Sequence, residues 1–381
     1  MRTLKRYFDY AASCPIDEEA LQTYMRASRE YFANSTSLHD EGTKANRLLE
    51  HCRETLADLI GGEAKGFYFT SGGSEGNFLA FQALLSAHSG KQIILSDGEH
   101  SSVKNTAMKY EAEGYRVTKL PLKESGVVDL EILKSIMTTD TALVSVHHVN
   151  SEIGTTQPIK EISRICQESG AFLHSDCVQS FGKLDVQQVT RYVDSLTLSS
   201  HKVYGPKGVG GLYLSTANTY QPFLPNGVHE SGMRAGTLNV PGIAAFTVAA
   251  EKSVKNLSKN QQRIEEWKRL FVNELTSFSD SFDFVRSSVG VPIIGLLIHH
   301  IEGQWLMLEG NRNGFHFSTG SACQVGAQEP SATLLAIGKT EEEARTFIRV
   351  SFGRDHTTED VKELAGWLRG VIEERTATVV Q

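Results

Sequence analysis

Short apolar, β-branched runs alternate with amphipathic stretches through the middle of the chain. Strand-like runs stand at 66–70, 92–96, 115–120, 142–149, 171–175, 195–199 and 209–214. Between the earlier ones, helical patterns cover 75–87, 103–113 and 162–168. Alternation of this kind predicts a mostly parallel sheet covered by helices. After Pro241 the texture changes. A long helical stretch at 243–277, rich in Lys, Glu, Asn and Gln, precedes strand-like runs at 281–285, 292–299, 316–318 and 349–352 and a closing helix at 358–374. The expected fold is therefore α/β, with a mostly parallel sheet in a large domain (residues 14–245) and a smaller α+β domain (residues 1–13 with 246–381). A cleft between the two is the default ligand site.

Composition narrows the partners. The 381 residues include 33 Gly and 9 Pro and are 22% charged, proportions of an ordinary globular protein long enough for two domains. A net charge of −7 provides no bulk basic field, so neither nucleic acid nor an anionic membrane is an expected partner. The longest apolar stretches, at 242–250 and 291–298, are too short to span a bilayer, and residues 1–10 lack the features of a signal peptide. A soluble, cytoplasmic protein is expected. The five cysteines form no Cys-x-x-Cys pair and have no histidine at zinc-finger spacing, so neither a disulfide framework nor a metal site is expected. Cys14, Cys52, Cys166 and Cys177 read as buried, inert thiols. Cys323 differs, because it lies in the small, polar run from Ser318 to Gly326, which reads as an exposed loop with an accessible thiol.

Residues able to carry chemistry gather at the ends of the predicted strands. In Phe69-Thr70-Ser71-Gly72-Gly73-Ser74-Glu75-Gly76-Asn77, two glycines and hydroxyls stand between a strand and a helix, where free N–H groups bind phosphate. Such a turn by itself is as often only a turn. Asp176 ends a central apolar strand, where open α/β sheets bind ligands, although an acid there also serves to cap a helix. Lys202 closes a further apolar strand in Ser199-Ser200-His201-Lys202, whereas lysines normally occupy solvated faces. Together the strand-end Lys, the strand-end Asp and the phosphate-type turn make a pyridoxal phosphate constellation. In it the Lys forms the Schiff base, the Asp pairs with the pyridinium nitrogen, and the helix start holds the phosphate.

These segments, with Asp9-Tyr10-Ala11-Ala12, the run from His147 to Gly154, Gly232-Met233-Arg234-Ala235-Gly236-Thr237 and Gly320-Ser321-Ala322-Cys323, resemble the cysteine desulfurase family of the NifS/IscS kind, among the class V aminotransferases. The resemblance runs in order from about residue 7 to residue 360. It implies the fold-type I architecture of pyridoxal phosphate-dependent transferases and a homodimer. The implied reaction converts L-cysteine to L-alanine, forms a persulfide on Cys323 and passes sulfur to an acceptor protein. By the same resemblance Lys202 matches the Schiff-base lysine and Asp176 the partner of the ring nitrogen. Gln179 matches the donor to the cofactor's phenolic oxygen, with Asn150 near it. His100 matches the histidine stacked on the ring and engaged in proton transfer. Gly73, Ser74, Ser199 and His201 match the phosphate cup, which Thr237 completes from the neighbouring subunit. Asn34 and Arg349 match the groups that hold the substrate carboxylate.

The chain departs from that pattern at Ser13-Cys14, Ser35-Thr36, Ser151 and Cys177, where paired threonines, Pro-Ser, Asn and Ala are common. Its tail after Arg354 looks shorter than in members that dock an iron–sulfur scaffold, which leaves the acceptor open among iron–sulfur cluster biogenesis, tRNA thiolation and one dedicated enzyme. A selenocysteine lyase or an aminotransferase on the same fold would keep Lys202 and Asp176, but an aminotransferase has no use for Cys323. A non-catalytic regulatory or partner protein would not require all three.

Overall fold

The structure is a computed structural model that describes residues 6–227, 229–285, 287–320 and 330–379. Two sheets organise it. Seven strands form the larger: β1 (Phe67–Thr70), β2 (Gln92–Ser96), β3 (Arg116–Leu120), β4 (Thr141–Ser145), β5 (Phe172–Asp176), β6 (Ser195–Ser199) and β7 (Gly210–Leu214), in the order β1-β7-β6-β5-β4-β2-β3. The β3-β2-β4-β5-β6 pairs are parallel, while β7 pairs antiparallel with both β6 and β1. Every position of β2, β4, β6 and β7 is buried, as a sheet covered on both faces requires. Alternate side chains serve opposite faces. Ile93, Leu95 and Leu143 join Phe81, Leu84 and Leu85 of the helix Gly73–Ser86, whereas Ile94 and Val144 belong to the core that includes Phe181 and Phe246.

The smaller sheet is antiparallel, with β8 (Phe282–Val285), β9 (Ile293–Ile298) and β10 (Phe347–Ser351) in the order β10-β9-β8. Its core contains Phe8, Trp267, Phe271, Ile294, Val350 and Phe352. The segment before residue 10 reaches this sheet through isolated bridges, Tyr7 to His316 and Asp9 to Ser351.

Two expected elements differ. The helical stretch at 243–277 is two helices, Val240–Lys255 and Leu257–Leu275, because Asn256 donates both its backbone N–H and its side-chain Nδ2 to the Lys252 carbonyl and ends the first. The first packs against the helices Glu18–Glu30 and Asp40–Ile60. The second turns Ile264, Trp267 and Phe271 into the small-sheet core. The run at 316–318 forms no strand and makes only the bridge at His316 and another from Ser318 to Arg349. No helix among the described residues is long and apolar enough to cross a membrane.

Candidate active site

The carboxyl ends of β1, β2, β4, β5 and β6 open onto one cavity of about 420 Å³, the place where parallel sheets bind ligands. Each strand contributes from the loop that follows it: Gly73 and Ser74 after β1, His100 after β2, Ser151 after β4, Asp176 and Gln179 at the end of β5, and Ser199 and Lys202 at the end of β6. Asp9, Ser318 and Arg349 close the cavity from the small-sheet side. Nine of the residues expected from the sequence line it: Gly73, Ser74, His100, Asp176, Gln179, Ser199, His201, Lys202 and Arg349.

The helix Gly73–Ser86 begins at the cavity with no side-chain cap, so its first N–H groups remain available to an anion. A Cβ added at Gly73 would lie 2.7 Å from Cγ2 of Val178, so only glycine lets this helix start approach the end of β5.

Asp176 is buried and held at both oxygens, by the Val178 N–H (2.9 Å) and the Asn77 amide Nδ2 (2.8 Å). Asn77 then presents its Oδ1 to Nε2 of His174 (3.1 Å), and His174 Nδ1 meets the Ser195 hydroxyl (2.7 Å). An amide oxygen only accepts, so His174 carries its proton on Nε2 and accepts from Ser195 at Nδ1. Burial holds this ring neutral, with its pKa pushed down to about 4. Burial pushes His148 and His356 to about 4 as well.

Because these folded pKa values lie below the ordinary 6.5, the unfolded chain binds more protons between pH 6.5 and 4, and stability rises with pH across that window. Each ring removes up to about 3 kcal/mol on acidification. Denaturant unfolding of the apoprotein at pH 7.5 and 5 is expected to show a clear loss at the lower pH; an unchanged midpoint would contradict the neutral assignment of these histidines.

Lys202 extends from the turn after β6, and its ammonium donates to the carbonyls of Ala11 (2.6 Å) and Ala12 (2.8 Å). Gln179 donates through Nε2 to the same Ala11 carbonyl (2.8 Å). His201 is pushed down to about 4 by burial and by the neighbouring Lys202 charge, so its ring is neutral at pH 7. His100 caps the helix Ser101–Ala112 by accepting the Ser102 N–H at Nδ1 (3.2 Å), so the ring's proton sits on Nε2. Arg349 projects from β10 and is gripped by Asp9 Oδ1 (2.8 Å) and the Ser151 carbonyl (2.9 Å); its buried Nε has no hydrogen-bond partner among the described residues. A guanidinium held from two sides with a donor to spare suits a carboxylate ligand.

Three expected residues lie elsewhere. Asn150 is buried but does not line the cavity, because its Oδ1 accepts the N–H groups of Glu152 and Ile153 and its Nδ2 binds the Gly98 carbonyl. The adjacent Ser151 lines the cavity instead. Asn34 is exposed, with its Oδ1 accepting from the Thr36 N–H and hydroxyl, and Thr237 is exposed; neither lines this cavity. Cys323 lies outside the described residues. The flanking chain is pinned, since Glu152 accepts from the hydroxyls of Ser331 and Thr333, and a Cβ added at Gly320 would overlap Ser331 and Glu152. The other four cysteines are buried and none lines the cavity. Burial raises the Cys14 thiol and pushes Cys52 to about 11 and Cys166 and Cys177 to about 12.

Sequence reasoning missed Asn77, Ser102 and the anchoring role of Asp9. Asn77 had a signal, since it lies three residues beyond Ser74 on the same face of the first helical turn. The Asp9–Arg349 pair, 340 residues apart, had none.

The class-V aminotransferase family model matches residues 6–364. A putative cysteine desulfurase NifS of Bacillus subtilis (strain 168) is 45% identical over 364 residues, covering 94% of this chain and 92% of that protein. A solved NifS-like protein superposes with a TM-score of 0.88 at 28% identity, covering 98% and 99% of the two chains. A structure described as SspA in complex with cysteine gives 0.78 at 32% identity, covering 92% and 100%. With identity of this extent along nearly the whole length, the chain belongs to the class-V aminotransferase family and, within it, to the NifS-like cysteine desulfurases.

Proposed function

We propose that this protein is a pyridoxal phosphate-dependent cysteine desulfurase that converts L-cysteine to L-alanine and passes the sulfur through Cys323 to an acceptor protein in the cytoplasm. The observation that carries the proposal is the convergence of Lys202, Asp176, an uncapped helix start and Arg349 on one cavity. The donor set fits the cofactor. The N–H groups at Gly73 and Ser74, with Ser199 and His201, would hold the phosphate, Asp176 the ring nitrogen, Gln179 the phenolic oxygen and Lys202 the aldehyde carbon, with His100 beside the ring. When bound, pyridoxal phosphate supplies an electron sink for the substrate's Cα.

The chain's own residues supply the rest. Arg349 binds the substrate carboxylate and orients the cysteine, and the Lys202 amine takes the Cα proton. The Cys323 thiolate attacks the substrate sulfur: an S–S bond forms as the Cβ–S bond breaks, the bonding pair stays with the carbon skeleton, and protonation there yields alanine. His100, with its proton on Nε2, exchanges protons beside the reacting atoms. Cys323 is three residues beyond Gly320, so at most ~11 Å of chain separates it from the pinned stem beside Glu152.

A homodimer belongs to the same reading. Phe32 and Leu38 are 70% and 100% exposed, and Asn34 and Thr237 are exposed on their own chain, as residues serving a second copy must be. The whole reading is tested by adding pyridoxal phosphate and L-cysteine to the purified protein and measuring visible absorbance, alanine and reductant-labile sulfur; absence of all three would overturn it.

Asp176→Asn separates the charge from the shape of this site. The amide keeps a contact to Asn77 but cannot hold a proton on the ring nitrogen. Cofactor uptake is expected to persist while alanine release falls by roughly a hundredfold or more, measured by stopped-flow absorbance beside product assay. Unchanged turnover would mean that another group partners the ring.

A further inference from the structure

We propose that Lys183 is a positioning residue of this site, which holds and polarises the Gln179 amide so that its N–H faces the cofactor's phenolic oxygen. The inference rests on the reading of Gln179 given above. Lys183 donates to Gln179 Oε1 at 3.0 Å, and Gln179 Nε2 donates to the Ala11 carbonyl at 2.8 Å. The two ends of a glutamine amide have nearly the same size, so packing alone does not choose between them. An ammonium only donates. It therefore requires the oxygen of Gln179 and turns the NH₂ toward Ala11 and the cavity, which leaves one amide hydrogen for the site.

The surroundings make this lysine costly. The contact to Gln179 is the ammonium's one hydrogen bond among the described residues. No carboxylate among the described residues pairs with it, and Cys14, Lys202, Tyr10, Tyr204 and Arg354 line the same small cavity of about 30 Å³. Burial pushes Lys183 down to about 8, with the Arg349 charge adding to the fall and Cys14 opposing it. It is still mostly charged at pH 7. A partly buried cation with no counter-charge among the described residues makes one contact here, to an amide that lines the main cavity. The turn after β5 is built to deliver it: Gly182 has φ of 68°, and a Cβ there would lie 2.9 Å from Val203 and 3.0 Å from Ser253.

The consequence can be read without turnover. A donor to the phenolic oxygen stabilises its anion and weakens that oxygen's hold on the proton of the lysine-bound cofactor. Removing Lys183 loosens and depolarises the donor, so that proton is lost at higher pH. The experiment titrates the visible absorbance of the pyridoxal phosphate-loaded protein, without cysteine, for wild type, Lys183→Met, Lys183→Arg, Gln179→Leu and the Gln179→Leu/Lys183→Met double variant.

Lys183→Met is expected to raise the midpoint by about one pH unit, with Lys183→Arg close to wild type. Gln179→Leu is expected to raise it similarly, and adding Lys183→Met to Gln179→Leu should shift it no further, because the two act through one contact. No shift in Lys183→Met, or an equal further shift in the Gln179→Leu background, would overturn the assignment. Cooperative unfolding of each apoprotein checks the fold, and Lys183→Gln carries the test if the Met variant fails to fold. A wild-type protein that takes up no pyridoxal phosphate would overturn the underlying reading, whereas a normal wild-type band with uncoupled variants overturns the role of Lys183 alone.

Discussion

Lys202→Ala is expected to release no measurable alanine from L-cysteine and to lack the visible band of lysine-bound pyridoxal phosphate. The substitution removes two functions at once. The ammonium now held between the Ala11 and Ala12 carbonyls is the cavity's one lysine among the described residues, and the same nitrogen is the proposed base at the substrate Cα. Loss of a general base alone costs roughly 10²–10⁴-fold, and loss of the covalent anchor adds to it. Lys183 does not substitute, because it points to Gln179 from behind the site. Lys207 provides the control: it is exposed and outside the cavity, so Lys207→Ala should retain near wild-type turnover. Substantial alanine release by Lys202→Ala would overturn the cofactor assignment.

Cys323→Ser is expected to divide the reaction. Cofactor uptake and the absorbance change on adding cysteine should persist, while sulfur transfer falls to background, because a serine hydroxyl has no useful anion near neutral pH and a free thiol, with pKa near 8.5, is ionised to about a few per cent. Mass spectrometry of the wild type should place the gain of one sulfur atom on Cys323. The remaining thiols are poor rivals: Cys14, Cys52, Cys166 and Cys177 are buried, their thiol forms are favoured by that burial, and none reaches the 420 Å³ cavity. A persulfide on Cys177 or Cys14 would contradict the role given to Cys323.

Much of this was legible in the linear pattern. The runs of β2, β4, β5 and β6 are buried along almost their whole length because helices cover both faces, and each was legible as a short strand-like run set off by turns or helical patterns, although Ser, Thr and His interrupt the apolar residues in β5 and β6. Asp176 and Lys202 were legible for the same reason: a charge at the end of a buried run is conspicuous. Local pattern carried less at the borders. It merged two helices across Asn256, whose break depends on a side chain returning to the Lys252 carbonyl.

The sequence by itself determined the α/β class, the strand ends that open onto the cavity and the family motifs, since these depend on burial and spacing within a few residues. Only the tertiary structure decided which side chains meet. It exchanged Asn150 for Ser151 at the cavity wall, because neighbouring residues point in different directions and the Asn150 amide is consumed by its own turn. It brought Asp9 to Arg349 and turned Lys183 onto Gln179. Hydrogen-bond partners of this kind are chosen by the approach of distant backbone segments, and no local periodicity records that approach.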